Sequence, residues 1–141
     1  MGVSRIFWDT NLFIYLLEGS GEPLELAQKL LNRMFERRDE LLTSTLTLGE
    51  VLVKPVEMGQ SSERYERFLN SPGVHIVSFD HQAARIYARL RRDRTIKPPD
   101  AIQLSCAAAA GTNLFITNDA RLSRMTLAGI DFIVPLPQVF L

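Results

Sequence analysis

At 141 residues the chain is the size of one ordinary domain, long enough to bury about two-thirds of the surface that its unfolded form exposes. Hydrophobic residues make up 46% and charged residues 23%, and 16 Lys+Arg against 16 Asp+Glu leave a formal net charge of zero. That balance excludes a strongly basic nucleic-acid coat and an acidic disordered tail, and the lone Cys106 excludes an intrachain disulfide and a cysteine-built zinc site.

The hydrophobic period changes repeatedly along the chain. A short run over residues 5–9 reads as a strand, with Thr10 and Asn11 placed to cap an apolar helix over 12–18. Gly19-Ser20-Gly21-Glu22-Pro23 breaks the pattern, and Ala27, Leu30, Leu31, Met34 and Phe35 then fall at helical spacing. A second strand is expected over 41–44, followed by a helix over about 45–58 in which Pro55 should form a kink or end the first half. An amphipathic helix over 61–69, a strand over 74–78 and a helix capped by Asp80 and running to about Arg92 follow. Pro98 and Pro99 introduce an alanine-rich helix over 100–110, then come a strand over 114–117, a short helix over 119–127 and an edge strand over 131–134.

Strands separated by helices imply parallel pairing, because a parallel connection needs a crossover of a dozen or more residues. The expectation is an α/β protein with one domain over 1–141, three layers in α/β/α order and a central, mostly parallel sheet of about five strands. Nothing reads as an address or a membrane anchor. Asp9 and Asn11 interrupt the apolar start, Gly2 lacks the Ser or Thr at position 6 that an acylation signal wants, and the longest apolar run is residues 12–17. A cytoplasmic, reducing setting is therefore expected.

In open α/β sheets ligands bind beyond the carboxyl ends of the strands. Asp9 closes the first expected strand with Thr10 and Asn11 behind it, Ser44 closes the second with Glu50 six residues on, and Asn118 and Asp119 follow the fourth. Asp100 opens the helix leading into that fourth strand. Gathered in one cleft, Asp9, Glu50, Asp100 and Asp119 would repel one another, and such a cluster persists only if protons or cations neutralise it. Carboxylate oxygens without Cys or His suit Mg²⁺ or Mn²⁺, and the chemistry such ions support is phosphodiester hydrolysis. Each acid alone also has a plainer reading. Asp9 and Asp119 suit helix caps, Asp100 suits the positive end of a helix dipole, and Glu50 suits a solvent-facing position.

The local motifs favour the cluster. Phe7-Trp8-Asp9-Thr10-Asn11 resembles the opening of PIN-domain ribonucleases, and Thr43-Ser44-Thr45-Leu46-Thr47-Leu48-Gly49-Glu50 resembles their second motif. Lys97-Pro98-Pro99-Asp100-Ala101-Ile102-Gln103 looks like the third and Phe115-Ile116-Thr117-Asn118-Asp119 like the fourth, in order and over nearly the whole chain. In size the chain resembles the VapC-type toxins of prokaryotic toxin–antitoxin pairs.

The resemblance implies a PIN-like fold and a Mg²⁺- or Mn²⁺-dependent endoribonuclease. It implies that Asp9, Glu50, Asp100 and Asp119 ligate the metal and that Thr10, Asn11, Ser44 and Asn118 orient those carboxylates or the attacking water. It further implies an RNA substrate, a homodimer and a small antitoxin protein. The pattern departs at Arg121, where many relatives carry another acid, and this weakens the case for a second metal.

Six basic residues stand against one acid between Arg85 and Lys97; Arg85, Arg89 and Arg92 share an expected helical face, and with Lys97 they form a candidate RNA footprint. A solvated helix face explains the same run, which has no interleaved aromatics. His75 and His81 lack partners at ligand spacing, and Cys106 reads as a small core residue. The alternative to a nuclease is a catalytically inactive PIN domain that binds RNA or protein. An aspartate-nucleophile phosphatase is disfavoured because Asn11 replaces the second acid of its Asp-x-Asp opening. Setting aside the four candidate ligands leaves four more bases than acids, so the zero net charge reads as an acidic pocket in a mildly basic surface.

Overall fold

The computed structural model describes residues 4–141, so Gly2, read above against an acylation signal, lies outside the described residues. Five strands, β1 (Arg5–Trp8), β2 (Glu40–Ser44), β3 (Val74–Val77), β4 (Thr112–Thr117) and β5 (Ile130–Pro135), form one sheet in the order β3-β2-β1-β4-β5. Every pairing between these five strands is parallel, where the sequence suggested only mostly parallel strands. The helices are α1 (Thr10–Glu18), α2 (Gly21–Arg37), α3 (Thr45–Glu57), α4 (Glu63–Leu69), α5 (His81–Leu90) and α6 (Pro98–Ala110).

Two apolar layers separate sheet from helices, and alternation along β1 assigns its residues between them. Ile6 and Trp8 join Leu12, Phe13, Met34 and Val51 on the face covered by α1 to α4. Phe7 points the other way, stacks on Phe115 of β4 at 5.2 Å between ring centroids, and joins Ala83, Leu90, Leu104 and Ala107 from α5 and α6. The alanine content of α6 has a packing cause. Ala101, Gln103, Leu104, Ser105, Cys106, Ala107 and Ala108 are all buried, and short side chains let a helix enclosed on several sides approach its neighbours closely.

The chain runs β1, β2, β3 outward to one edge, then crosses back to place β4 on the other side of β1. The strand order therefore reverses at β1, and the crevice between the carboxyl ends of β1 and β4 is where such a sheet receives ligands. The register sets Trp8 beside Ile116, which brings Asp9 next to the residues that end β4.

Four local expectations change. Asp9, not Thr10 or Asn11, is the N-cap of α1, because its carboxylate accepts the Asn11 amide and leaves Thr10 free to turn inward. Pro55 does not end the first half of α3; it sits in the last turn, where it offers no amide to the Val51 carbonyl, and the helix stops two residues later. The helix expected over 119–127 is a single 3₁₀ segment, Ala120–Arg124, capped by Asp119. Helix α5 ends at Leu90, so Arg85 and Arg89 lie on it while Arg92 lies in the turn beyond and hydrogen-bonds the Arg89 carbonyl.

The turn into β5 depends on Gly129, which has φ +98° and would bring an added Cβ to 2.4 Å from the Ala108 carbonyl oxygen at the end of α6. Both the left-handed backbone and that contact exclude a side chain. Gly129→Ala should therefore lower stability by roughly 2 kcal/mol or more, read as a fall in denaturation midpoint without a change in the far-ultraviolet spectrum of the folded state.

Candidate active site

Three of the four acids occupy ends of secondary elements. Asp9 follows β1, Asp119 follows β4 as the cap of the 3₁₀ segment, and Asp100 lies in the first turn of α6. Glu50 comes from the middle of α3, the helix that leaves the end of β2. Asp9 Oδ1 accepts the Asn11 amide at 3.1 Å and Oδ2 accepts the Asn118 amide at 3.2 Å, so the chain ends of β1 and β4 are tied through one carboxylate.

Burial nevertheless dominates at this position. Desolvation raises the Asp9 pKa from 3.8 to about 6, against the opposing hydrogen bonds from Thr117, Asn118 and Asn11, and repulsion from Asp100 adds to the rise. Burial likewise raises Asp100, which also feels the charges of Asp119 and Glu50. The four acids therefore interact electrostatically across the crevice.

Each of three acids is held by its own partner. Asp9 has the two amides, Glu50 Oε1 accepts the Thr10 hydroxyl at 2.6 Å, and Asp119 forms a two-pronged pair with Arg121, Nη2 to Oδ2 at 2.7 Å and Nε to Oδ1 at 3.1 Å. That guanidinium lowers the Asp119 pKa, and the nearby Lys97 lowers it further. Among the described residues, no three His, Cys, Asp or Glu side chains stand close enough together to form a ready-made metal cage. The donor set itself fits a hard divalent cation. It consists of carboxylate oxygens, one of them desolvated enough to resist ionisation and therefore stabilised by any added positive charge.

Behind the acids lies a buried polar cluster that sequence reading largely missed. Gln103 Nε2 lies 3.1 Å from Thr10 Oγ1 and 2.8 Å from Thr47 Oγ1, and Ser44 Oγ lies 2.5 Å from Gln103 Oε1. Thr43 Oγ1 extends the cluster, 2.8 Å from Thr47 Oγ1 and 2.9 Å from the Trp8 carbonyl oxygen. The signal was present as spacing, since Gln103 follows Asp100 by three and Thr47 precedes Glu50 by three, which sets each pair on one helical face.

Of the residues expected to orient the acids, Thr10 contacts one through its side chain. Asn11 and Asn118 contribute backbone amides to Asp9, and Ser44 reaches Gln103 and caps α3 rather than touching a carboxylate. The Asn118 side chain accepts from the Tyr15 hydroxyl at 2.6 Å, so Tyr15, half-buried against the core under α1 to α4, reaches the rim of the crevice with its hydroxyl. Lys97 lies within electrostatic reach of Asp100 and Asp119; Arg85, Arg89 and Arg92 are exposed on and just after α5. His75 and His81 are exposed, and burial raises the Cys106 thiol to about 11, which leaves it inert.

Comparison with known proteins decides the family. The model of the PIN domain matches residues 6–127, a span that holds all four acids and the sheet from β1 to β4. The chain belongs to the PIN-domain family. A search of curated proteins returns no match. Among solved structures, a toxin–antitoxin complex from Klebsiella pneumoniae aligns at 24% identity with a TM-score of 0.66, covering 89% of this chain and 94% of its own. VapBC2 from Rickettsia felis, bound to a DNA fragment from its promoter, aligns at 19% identity and TM-score 0.69, covering 92% and 96%. DNA-bound VapBC from Salmonella typhimurium aligns at 22% and 0.68, covering 95% and 99%. At these identities the likeness is one of fold.

The Asp9 shift gives a sign that melting curves can check. Its native pKa of about 6 exceeds the ordinary 3.8, so the folded chain binds the proton more tightly than the unfolded chain across that window. Unfolding then releases a proton, and stability falls as pH rises from about 4 to about 6. Asp100 is raised and acts in the same direction, whereas the lowered Asp119 acts below that window. In metal-free buffer the wild-type Tm should decline over this range, and Asp9→Asn should make the decline shallower.

Proposed function

We propose that this PIN domain is a Mg²⁺- or Mn²⁺-dependent endoribonuclease, the toxin of a VapBC-type pair. The observation that carries the reading is the electrostatic coupling of Asp9, Glu50 and Asp119 through Asp100 near the strand-order reversal, with Asp9 desolvated to a pKa of about 6. Asp9, Glu50, Asp100 and Asp119 would hold the metal. When bound, it neutralises these charges, polarises a phosphodiester oxygen and makes a water more acidic.

The chain's own residues account for the remaining requirements. The amides of Asn11 and Asn118 fix Asp9, and the Tyr15 hydroxyl holds the Asn118 side chain beside it. Lys97 and Arg121 supply positive charge at the Asp100–Asp119 side of the crevice, where a backbone phosphate of RNA would otherwise meet only carboxylates. Arg85, Arg89 and Arg92 would add a salt-sensitive footprint for the same polyanion. Arg121 already neutralises Asp119, which favours one metal ion over two. The Klebsiella, Rickettsia and Salmonella neighbours, a toxin–antitoxin complex and two VapBC assemblies, support a small antitoxin partner. A homodimeric toxin acting in the cytoplasm completes the proposal. Among the described residues no helix is long and apolar enough to cross a membrane.

The Arg121–Asp119 pair also motivates a second reading, a PIN domain that binds RNA or protein without cleaving it, because a guanidinium on a candidate ligand competes with the metal. A cleavage assay separates the two. Purified protein should cut RNA with Mg²⁺ or Mn²⁺ and not with EDTA, and Asp9→Asn or Asp100→Asn should slow cutting by about 10²-fold or more. Variants as active as wild type would overturn the nuclease reading, and wild-type protein that binds RNA without cutting it would favour the module.

A further inference from the structure

The buried cluster behind the acids contains a hydrogen-bond chain whose direction follows from proton counting. The 2.5 Å separation of Ser44 Oγ and Gln103 Oε1 suits an O–H···O bond and is too short for N–H···O. Ser44 therefore donates to the amide oxygen, and the Gln103 NH₂ group faces Thr10 at 3.1 Å and Thr47 at 2.8 Å. A threonine hydroxyl has one proton. Thr10 Oγ1 also lies 3.2 Å from Thr47 Oγ1, but a carboxylate can only accept, so the single Thr10 proton goes to Glu50 Oε1 at the shorter 2.6 Å while a Thr10 lone pair accepts from Gln103. Thr10, Thr47, Ser44 and Gln103 are all buried, whereas Glu50 reaches solvent, so a satisfied interior network grips a carboxylate that would otherwise move freely at the surface.

We infer that Gln103 is a positioning residue: through Thr10 it fixes the rotamer of Glu50 so that this carboxylate is presented to the crevice as a metal ligand. The inference rests on the metal-site reading above and assigns a function to a residue whose side chain hydrogen-bonds none of the four acids. Helix α6 thus serves the site twice, presenting Asp100 at its first turn and Gln103 one turn deeper. A merely structural glutamine would stabilise the contact between α6 and α3 without affecting metal affinity.

The test measures Mn²⁺ binding to the full chain without RNA, by calorimetry or by the free-Mn²⁺ electron paramagnetic resonance signal. Gln103→Ala should weaken binding about 10- to 100-fold, the range for residues that orient metal ligands. Gln103→Glu should weaken it similarly, because an ionised carboxylate accepts hydrogen bonds and would draw the Thr10 proton away from Glu50. Thr10→Val should show a comparable loss, Thr10→Ser should restore most of it, and adding Gln103→Ala to Thr10→Val should cost little more, since both act through one bond. Ser105→Ala, buried on the same helix and bonded only to the Ala101 carbonyl, is the control expected to bind like wild type. Wild-type affinity in folded Gln103→Ala or Gln103→Glu, losses that add fully in the double variant, or no Mn²⁺ binding by the wild type at millimolar metal would each overturn the inference. Wild-type protein that binds Mn²⁺ in this pattern yet cuts no RNA would sustain the inference and defeat the nuclease reading alone.

Discussion

Like charges crowded at the carboxyl edge of a parallel sheet are the constraint on which the rest of the site depends. Asp9 is the extreme case, a carboxylate drawn into the end of β1 far enough that burial outweighs its hydrogen bonds and raises its pKa to about 6. It stays there because it performs two structural tasks at once, capping α1 through the Asn11 amide and receiving the Asn118 amide from the neighbouring strand. A protein that sought only stability would place an uncharged cap at this position. The strain is of the kind that accumulates where a fold holds a cation-binding or catalytic site.

The other carboxylates show three ways of keeping a repelling group in place. Asp119 is restrained by a guanidinium two residues away, Glu50 by a hydroxyl from a different helix, and Asp100 by its position in the first turn of α6, where the exposed amides favour an anion. These restraints differ in permanence. The Arg121 side chain is exposed, so its pair with Asp119 is weakened by solvent, whereas the Thr10–Gln103–Thr47 cluster is enclosed between helices and cannot rearrange without leaving buried groups unpaired. One side of the crevice is thus backed by a buried hydrogen-bond network and the other by a solvent-facing ion pair.

Much of this was legible before any coordinates. Strand and helix order followed from the alternation of hydrophobic period, and Asp80 and Ser44 occupy the caps that their residue types suggested or allowed. The misreadings share a cause, which is that local rules rank several residues equally until packing chooses. Asp9, Thr10 and Asn11 are all good caps, and only the inward turn of Thr10 toward Glu50 leaves the task to Asp9. Arg92 continues the spacing of Arg85 and Arg89, but the helix stops at Leu90 and the chain turns. Gln103 closes the third motif, but no role for it follows from the sequence, because its partners Ser44, Thr47 and Thr10 lie 56 or more residues away.

The sequence by itself determined the class of fold, the carboxyl-edge location of the candidate acids and the family resemblance, because periodicity, caps and short motifs are properties of neighbouring residues. Tertiary structure alone decided that every strand is parallel, that the order reverses at β1 and that Asp9 bridges β1 and β4. It also decided which hydroxyl grips Glu50 and which amide directs that hydroxyl. The physical reason is that desolvation and hydrogen-bond direction depend on which distant groups exclude water from one another, and no local pattern encodes that distance.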